Sequence, residues 1–277
     1  MTGRGQSIGD ELRRWRKRRD MSQLDLALSA DISTRHLSFV ETGRSQPGRE
    51  LLLRLTRELE IPLRGRNELL VSAGFAPVFQ QRSYDDPAFD PVRRVIDAAL
   101  ALHRPFPAYV IDRYWDVVAS NGAVPELFEG IAPELARRPM NVVRLMLHPR
   151  GLAPRAVNLG AWRTRLLARL RQQVNLTADP ALEALLREAR SFPGPDAGEE
   201  ETTDPDSNLM VPLQIMTGIG RLSFLNATMV FGTPVDVTLE EIALEKLYPA
   251  DASTEDAIRR AAARHLMDVQ TSPASVS

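Results

Sequence analysis

The first 75 residues divide into five short helical segments, and this division limits what the chain can fold into. Ile8, Leu12 and Trp15 recur with helical spacing and give the first segment an apolar stripe. Ser22 and Ser33 stand where N-caps of the second and third segments belong. The pattern therefore predicts an N-terminal all-α domain of five helices.

The second and third segments are joined by a very short turn. We expect Leu24, Ala27 and Leu28 to form the buried face of the second helix, with the small Ala27 at the crossing. Asp31 lies in the turn, and Asp is among the few residues that tolerate a positive φ. A helix pair with so tight a turn leaves its second helix able to enter a DNA major groove.

Charge is distributed unevenly along the chain. Residues 1–82 carry 15 Lys and Arg against 10 Asp and Glu, whereas residues 83–277 carry 20 against 26. A basic N-terminal segment followed by an acidic C-terminal segment indicates that the N-terminal segment binds a polyanion.

Several classes of protein are disfavoured. The absence of cysteine excludes disulfide frameworks, zinc ribbons and cysteine nucleophiles. The four histidines are too far apart for a metal-binding helix, and no acid–base pair stands out. The charged N-terminus lacks the apolar core of a signal peptide, and no apolar run is long enough to span a membrane. We therefore expect a cytoplasmic protein without enzymatic activity, metal site, cofactor or membrane contact.

The prolines between Pro77 and Pro91 indicate a joint between two domains. We assign residues 1–76 to the first domain, 77–91 to a linker and 92–250 to the second domain, with a C-terminal helix and frayed tail over 251–277. Residues 193–208 carry six acids and no base, which predicts a mobile acidic loop.

The second domain has strand patterns at both sequence ends and helical patterns between them. Two short strands are predicted within residues 109–118, and a hairpin within 209–231. Residues 238–248 fit a strand or a helix, and we favour a strand. Ser253 or Thr254 is expected to cap the last helix. The fold class predicted for this part is α+β.

The N-terminal pattern resembles a known family. The stretches MSQLDLA (21–27) and ISTRHLSFVETGRSQP (32–47) are similar to the helix-turn-helix of the Cro/repressor-type (Xre) transcription regulators. The resemblance covers about residues 8–75. Asp31 departs from the glycine that this family usually has in the turn.

This resemblance implies a set of DNA-contacting residues. Arg35 can make two hydrogen bonds to guanine, Ser38 can bond several bases, and the Phe39 edge can contact a thymine methyl. Arg13 and Arg49 are further candidates for backbone contacts. We also expect a homodimer on a two-fold double-stranded operator. The residues implied to face base edges are Thr34, Arg35, Ser38 and Phe39, and those implied to hold the backbone are Gln23, Thr42 and Arg44.

The second domain resembles the ligand-binding domain of MmyB-like transcription regulators. The stretches that carry this resemblance are 107–121, 140–152, 158–163 and 231–241, in the same order as in the family, and the match runs over about residues 85–250. The resemblance implies a PAS-like α+β domain with an apolar pocket and, in some members, a fatty-acid-like ligand.

Candidate ligand-binding residues are apolar side chains of this region and arginines that could hold a carboxylate, although each apolar face also suits plain core packing. The function predicted is a DNA-binding regulator that senses a small apolar ligand. One alternative is a constitutive repressor whose second domain serves only dimerisation or partner binding. The other is an enzyme fused to a DNA-binding domain, for which the sequence offers no acid–base pair. The candidates are Trp115, Arg144, Leu145, Trp162, Arg163, Leu166, Phe224 and Met229, with Arg113 as a further arginine.

Overall fold

The computed structural model describes residues 7–195 and 210–271. Most of the acidic loop expected over 193–208 lies outside these residues, as does the end of the C-terminal tail. The chain forms two compact units. Unit 1 comprises residues 1–83, 173–178 and 233–240, and unit 2 comprises 84–172, 179–232 and 241–277.

The N-terminal part of unit 1 is built from five helices, as the sequence predicts. Their apolar stripes meet in one core of fully buried leucines, each contributing about 2 kcal/mol through burial. The core leucines include Leu12, Leu26, Leu37, Leu52, Leu55 and Leu59. The helices are α1 (Ile8–Arg18), α2 (Gln23–Ser29), α3 (Thr34–Glu41), α4 (Arg49–Glu58) and α5 (Leu63–Ser72).

The turn between α2 and α3 has the predicted local chemistry. Ser22 and Asp25 form a reciprocal capping box at the start of α2. The Ser33 side chain accepts a hydrogen bond from the His36 backbone N–H at the start of α3. Asp31 has a φ of 50°, the positive value expected for this turn position.

The predicted buried face of α2 is wrong in two of its three residues. Leu24 is 55% exposed and Leu28 is 70% exposed, whereas Leu26, Ala27 and Ala30 are buried. A helix of seven residues offers more than one apolar row, and the partner helices rather than the pattern decide which row packs.

Unit 2 contains one five-stranded antiparallel sheet with the strand order β2-β1-β5-β4-β3. The helices lie mainly between the second and third strands, and this arrangement confirms the predicted α+β class of the domain. The strands are β1 (Ala108–Ile111), β2 (Val117–Ser120), β3 (Leu213–Thr217), β4 (Gly220–Met229) and β5 (Ala243–Pro249).

The helices outside the N-terminal five include a short one, α11, that begins within the 233–240 segment of unit 1. The last helix, α12, packs against β4, where the Thr254 hydroxyl accepts a hydrogen bond from the Ser223 backbone N–H at 3.0 Å. These helices are α6 (Asp90–Leu102), α7 (Pro133–Ala136), α8 (Val142–Leu147), α9 (Leu159–Thr177), α10 (Pro180–Ser191), α11 (Val237–Glu241) and α12 (Ala252–Thr271).

Two local expectations near the C-terminus need correction. Residues 238–248 form the end of α11 followed by β5, not one strand, because the Asp236 carboxylate accepts a hydrogen bond from the Thr238 N–H at 2.9 Å and starts a helix. The cap of α12 is Asp251, which accepts from the Thr254 N–H at 2.7 Å, whereas Ser253 and Thr254 lie inside the helix.

Among the described residues, none of the helices combines the length and apolar character that a bilayer crossing needs.

Candidate DNA interface and ligand pocket

Helix α3 has one face in the core of unit 1 and one face toward solvent. Leu37 and Val40 are fully buried. Thr34 and Arg35 are exposed and Ser38 is half-buried on the outer side of the helix. The outer residues recur at helical spacing, so together they form a single polar surface of the kind that reads base edges.

Phe39 organises the cations at the end of this surface. The guanidinium carbon of Arg35 lies 5.4 Å from the centre of the Phe39 ring, and that of Arg44 lies 5.9 Å from it. Cation–π contacts at exposed sites are worth about 0.5–1 kcal/mol each. The ring therefore restrains both arginines without using up their N–H donors.

Thr42 and Gln23 have partners within the protein. The Thr42 hydroxyl donates to the Ser38 carbonyl at 2.7 Å. The Gln23 side-chain amide donates to the buried Glu41 carboxylate at 2.7 Å, which leaves its carbonyl oxygen directed elsewhere. Arg13 and Arg49, the further backbone candidates, are both exposed.

Arg16 and Glu41 tie α1 to the end of α3. The Arg16 guanidinium donates two hydrogen bonds to the Glu41 carboxylate, at 2.6 and 2.9 Å. Burial acts to raise the pKa of Glu41, but the hydrogen bonds from Arg16 and Gln23 outweigh it and hold that pKa below its ordinary value. The ionised carboxylate thus holds the end of α3, and with it the polar surface of that helix, against α1.

Unit 2 contains a cavity of about 300 Å³ between one face of the sheet and helices α8 and α9. This volume corresponds to roughly ten water molecules at about 30 Å³ each. Five of the ligand candidates from the sequence line it, and four of these five are buried. These five are Trp115, Leu145, Trp162, Leu166 and Phe224.

The arginines suggested as carboxylate anchors have partners of their own. Arg144 makes hydrogen bonds of 2.7 and 2.8 Å to the Glu188 carboxylate. Arg163 donates to the backbone carbonyls of Arg190 and Phe192. Neither lines the cavity, and nor does Met229, which is 50% exposed at the end of β4.

Arg113 also has protein partners, since it forms ion pairs with Asp179 and Glu241. It does not line the cavity either. All three arginines suggested from the sequence therefore serve contacts within the fold.

The sheet contributes a polar wall to the cavity that the sequence did not reveal. We define the polar wall as Tyr109, Asn226, Thr228 and Glu245. Glu245 lies opposite Tyr109 on β1 and opposite Thr228 on β4, so these side chains share one face of the sheet. Asn226 lies on the same face, two residues before Thr228.

Glu245 is the centre of this wall. Its carboxylate is 1% exposed and accepts hydrogen bonds from Asn226 at 2.7 Å and from Thr228 at 3.1 Å. Arg169 of α9 donates to it at 2.5 Å, and the Arg169 guanidinium lies 4.6 Å from the centre of the Trp115 ring. The buried negative charge is thereby compensated by one cation that also lines the cavity.

Burial and the neighbouring Glu245 charge raise the pKa of Tyr109 well above its ordinary value. Its hydroxyl therefore remains a neutral O–H donor throughout the physiological pH range.

Two buried polar atoms of cavity-lining residues lack hydrogen-bond partners among the described residues, the indole Nε1 of Trp162 and the amide Oδ1 of Asn226. Leaving one such group unsatisfied costs about 1–3 kcal/mol.

Sequence signals for the Arg169–Glu245 pair did exist. Trp162, Leu166 and Arg169 are spaced at i, i+4 and i+7 on α9, so an arginine falls on the predicted apolar face. Glu245 is likewise a charged residue within a predicted strand. Neither signal identifies its partner, because cross-strand register is set by tertiary structure.

Comparison with known families gives two matches. Residues 92–261 match the family described as MmyB-like transcription regulator ligand binding domain. Residues 12–65 match a helix-turn-helix family. Both matches point to transcription regulators and not to enzymes. No curated protein matches the sequence.

A search of solved structures finds similarity to "Structure of an RNA-binding Light-Oxygen-Voltage Receptor". The similarity has 12% sequence identity and a TM-score of 0.25, and covers 93% of this chain and 64% of that one. With so low a TM-score it carries no argument about fold or function.

Proposed function

Because the chain belongs to the MmyB-like transcription regulators, we propose that it reads a specific operator through α3 and senses a small, apolar, fatty-acid-like ligand in the cavity of unit 2. The family matches establish a helix-turn-helix regulator with a ligand-binding domain. Ligand class, operator contacts, dimerisation and a cytoplasmic location are the proposed parts.

The observation that carries the sensing proposal is the cavity itself. A solid core would bring α8 and α9 into direct contact with the sheet, whereas about 300 Å³ separates them. Burying about ten methylenes there would supply on the order of 8 kcal/mol before association costs. Association and immobilisation remove half or more of that and leave at most about 4 kcal/mol. One polar anchor of about 1 kcal/mol would bring the total to about 5 kcal/mol, which corresponds to a Kd on the order of 0.1 mM.

The polar surface of α3 supports the DNA-reading proposal. Arg35 offers the fork of donors that suits guanine O6 and N7, and it is held near the surface by Phe39. Arg44 carries a charge beyond the end of α3, where a phosphate contact would position the helix without specifying bases. Operators of this class are two-fold, so the protein would bind as a homodimer.

Regulation requires that the ligand bind one arrangement of the protein better than another. Chain connectivity offers a route for such coupling. Helix α11 begins in the 233–240 segment of unit 1 and leads, within a few residues, to Glu245 in the polar wall. A ligand-dependent change at β5 would thus act directly on chain that belongs to the DNA-binding unit.

Native mass spectrometry of freshly purified protein beside a denatured sample tests this function. A mass excess that disappears on denaturation is expected, and analysis of the organic extract identifies the molecule. The same spectrum shows a dimer or a monomer. The absence of any excess, together with a flat thermal-shift screen against fatty acids and against the corresponding uncharged amides and alcohols, would contradict sensing and favour a constitutive repressor.

A pair of variants on α9 gives a matched control. Leu166→Trp adds volume at the cavity wall and should be tolerated, because free space is available there. Leu170→Trp makes the same change one turn later at a fully buried position that does not line the cavity, and should destabilise by about 1–3 kcal/mol. Equal destabilisation of both variants would show that the cavity cannot accommodate added volume, and would contradict the proposal that it holds a ligand.

A further inference from the structure

The charges and hydrogen bonds of the polar wall restrict the chemical class of ligand that the cavity can bind. Glu245 is buried and its charge is compensated by Arg169. Because Arg169 already compensates the charge of Glu245, a second carboxylate placed against the polar wall would approach a buried carboxylate, and the other arginine that lines the cavity, Arg165, is exposed rather than buried in the wall. An ionised fatty acid is therefore poorly matched to this wall.

The carboxylate of Glu245 sets the orientation of the Asn226 side-chain amide. An ionised carboxylate can only accept hydrogen bonds, so the NH₂ of Asn226 must face Glu245. The amide Oδ1 is thereby turned away, and it has no partner among the residues that the structure describes. An acceptor next to the cavity is left for a ligand donor.

Donors also border the cavity. The Trp162 Nε1–H is closed to solvent and has no described partner. The Tyr109 hydroxyl is a second donor on the cavity wall, and it remains protonated because burial and Glu245 raise its pKa. Small rotations of these side chains would bring them to a bound ligand. The lining thus offers the Asn226 Oδ1 acceptor and the Trp162 and Tyr109 donors beside mainly apolar side chains.

Resting on the proposed sensing function, we propose that the ligand is an uncharged amphiphile of about ten non-hydrogen atoms. Its polar end carries both a hydrogen-bond donor and an acceptor, as a primary carboxamide or an alcohol does. The acceptor of the ligand receives from Trp162 or Tyr109, and its donor gives to Asn226. The aliphatic body fills the apolar remainder of the cavity.

Three eight-carbon probes test this proposal at pH 8: octanamide, 1-octanol and octanoate. They share one tail and differ in the charge and hydrogen-bonding capacity of the polar end. Binding to the full-length protein is measured by calorimetry and by tryptophan fluorescence. Octanamide and 1-octanol are expected to bind more tightly than octanoate.

Two conservative variants locate the contacts. Trp162→Phe and Tyr109→Phe each remove one donor and keep an aromatic ring, so the unliganded protein should keep its melting temperature. At least one of the two should weaken octanamide binding about two- to tenfold, the range of one hydrogen bond, and neither should affect octanoate binding. Unchanged octanamide binding in both variants would contradict the assigned contacts. Trp15→Phe in α1 is the matched control for loss of a tryptophan. It should change the affinity for neither octanamide nor octanoate.

The opposite ranking would overturn the proposal. Arg165 is exposed and also lines the cavity, so a carboxylate held there would make octanoate the tightest probe, and Arg165→Ala would remove that advantage. That outcome would leave the sensing function intact. Failure of all three probes to bind up to their solubility limits would overturn both the ligand class and the sensing function.

Discussion

The guanidinium of Arg16 in α1 makes two hydrogen bonds, of 2.6 and 2.9 Å, to the buried carboxylate of Glu41 at the end of α3. Glu41 is 3% exposed and also receives the side-chain amide of Gln23. One carboxylate therefore joins the first three helices at the end of α3.

Removing one partner of this pair should be costly. Glu41→Ala leaves the buried Arg16 charge without its counterion, and we expect a loss of about 3–5 kcal/mol in the free energy of unfolding. Urea denaturation monitored by circular dichroism measures it. Glu58→Ala removes an ion pair with the exposed Arg57 and should change stability by less than about 1 kcal/mol. Similar losses in the two variants would refute a structural role for the Arg16–Glu41 pair.

The same pair predicts a dependence of stability on pH. The pKa of Glu41 is held below its ordinary value of 4.5, so the stabilisation is fully present above that value. It is lost as pH falls through the lower pKa of the folded state. Comparing unfolding at pH 7 and pH 3, wild type should lose more stability than Glu41→Gln. An equal loss would show that Glu41 does not contribute to the acid sensitivity.

Arg35 is expected to determine specificity. Arg35→Ala should reduce affinity for the preferred operator by about 1–3 kcal/mol and relax the preference at one base position. Selection from a random DNA library, carried out with wild type and variant, measures both effects. A uniform loss across all sequences would remove Arg35 from the base-reading set.

Arg44 is expected to contact the backbone. Arg44→Ala should weaken specific and non-specific DNA alike and reduce the slope of log affinity against log salt by about one unit. The slope is obtained from titrations at several salt concentrations. Arg57, an exposed arginine on α4 paired with Glu58, provides an Arg→Ala control. An unchanged slope for Arg44→Ala would place this residue outside the interface.

The sequence predicts most of the DNA-binding half because local rules determine it. Capping residues, the positive φ of Asp31 and the spacing of buried leucines each depend on residues close in the chain. Leu24 and Leu28 show where local rules fail. Both have the spacing of an apolar helix face, yet both are exposed, because the neighbouring helices pack against a different row of α2.

The cavity of unit 2 depends more than the N-terminal helices do on contacts between residues that are far apart in the sequence. Trp162 and Leu166 could be selected from helical spacing, but Glu245 meets Arg169 across 76 residues of chain and Asn226 across 19. Strand register places Asn226 and Glu245 on one face of the sheet, and the Arg169 side chain of α9 reaches Glu245 from a helix. The arginines chosen from sequence as anchors were chosen for their charge, and charge alone does not show that Glu188 or backbone carbonyls already hold them.

We expect occupation of the cavity to control DNA binding. The most direct test is the affinity of full-length protein for its selected operator, measured by fluorescence anisotropy with and without saturating octanamide, after calorimetry has established that the probe binds. We predict a change in Kd of at least about fivefold, the lower end of ordinary allosteric coupling. A Kd that stays the same while the cavity is demonstrably occupied would contradict the account and leave a DNA-binding protein whose second unit does not regulate it.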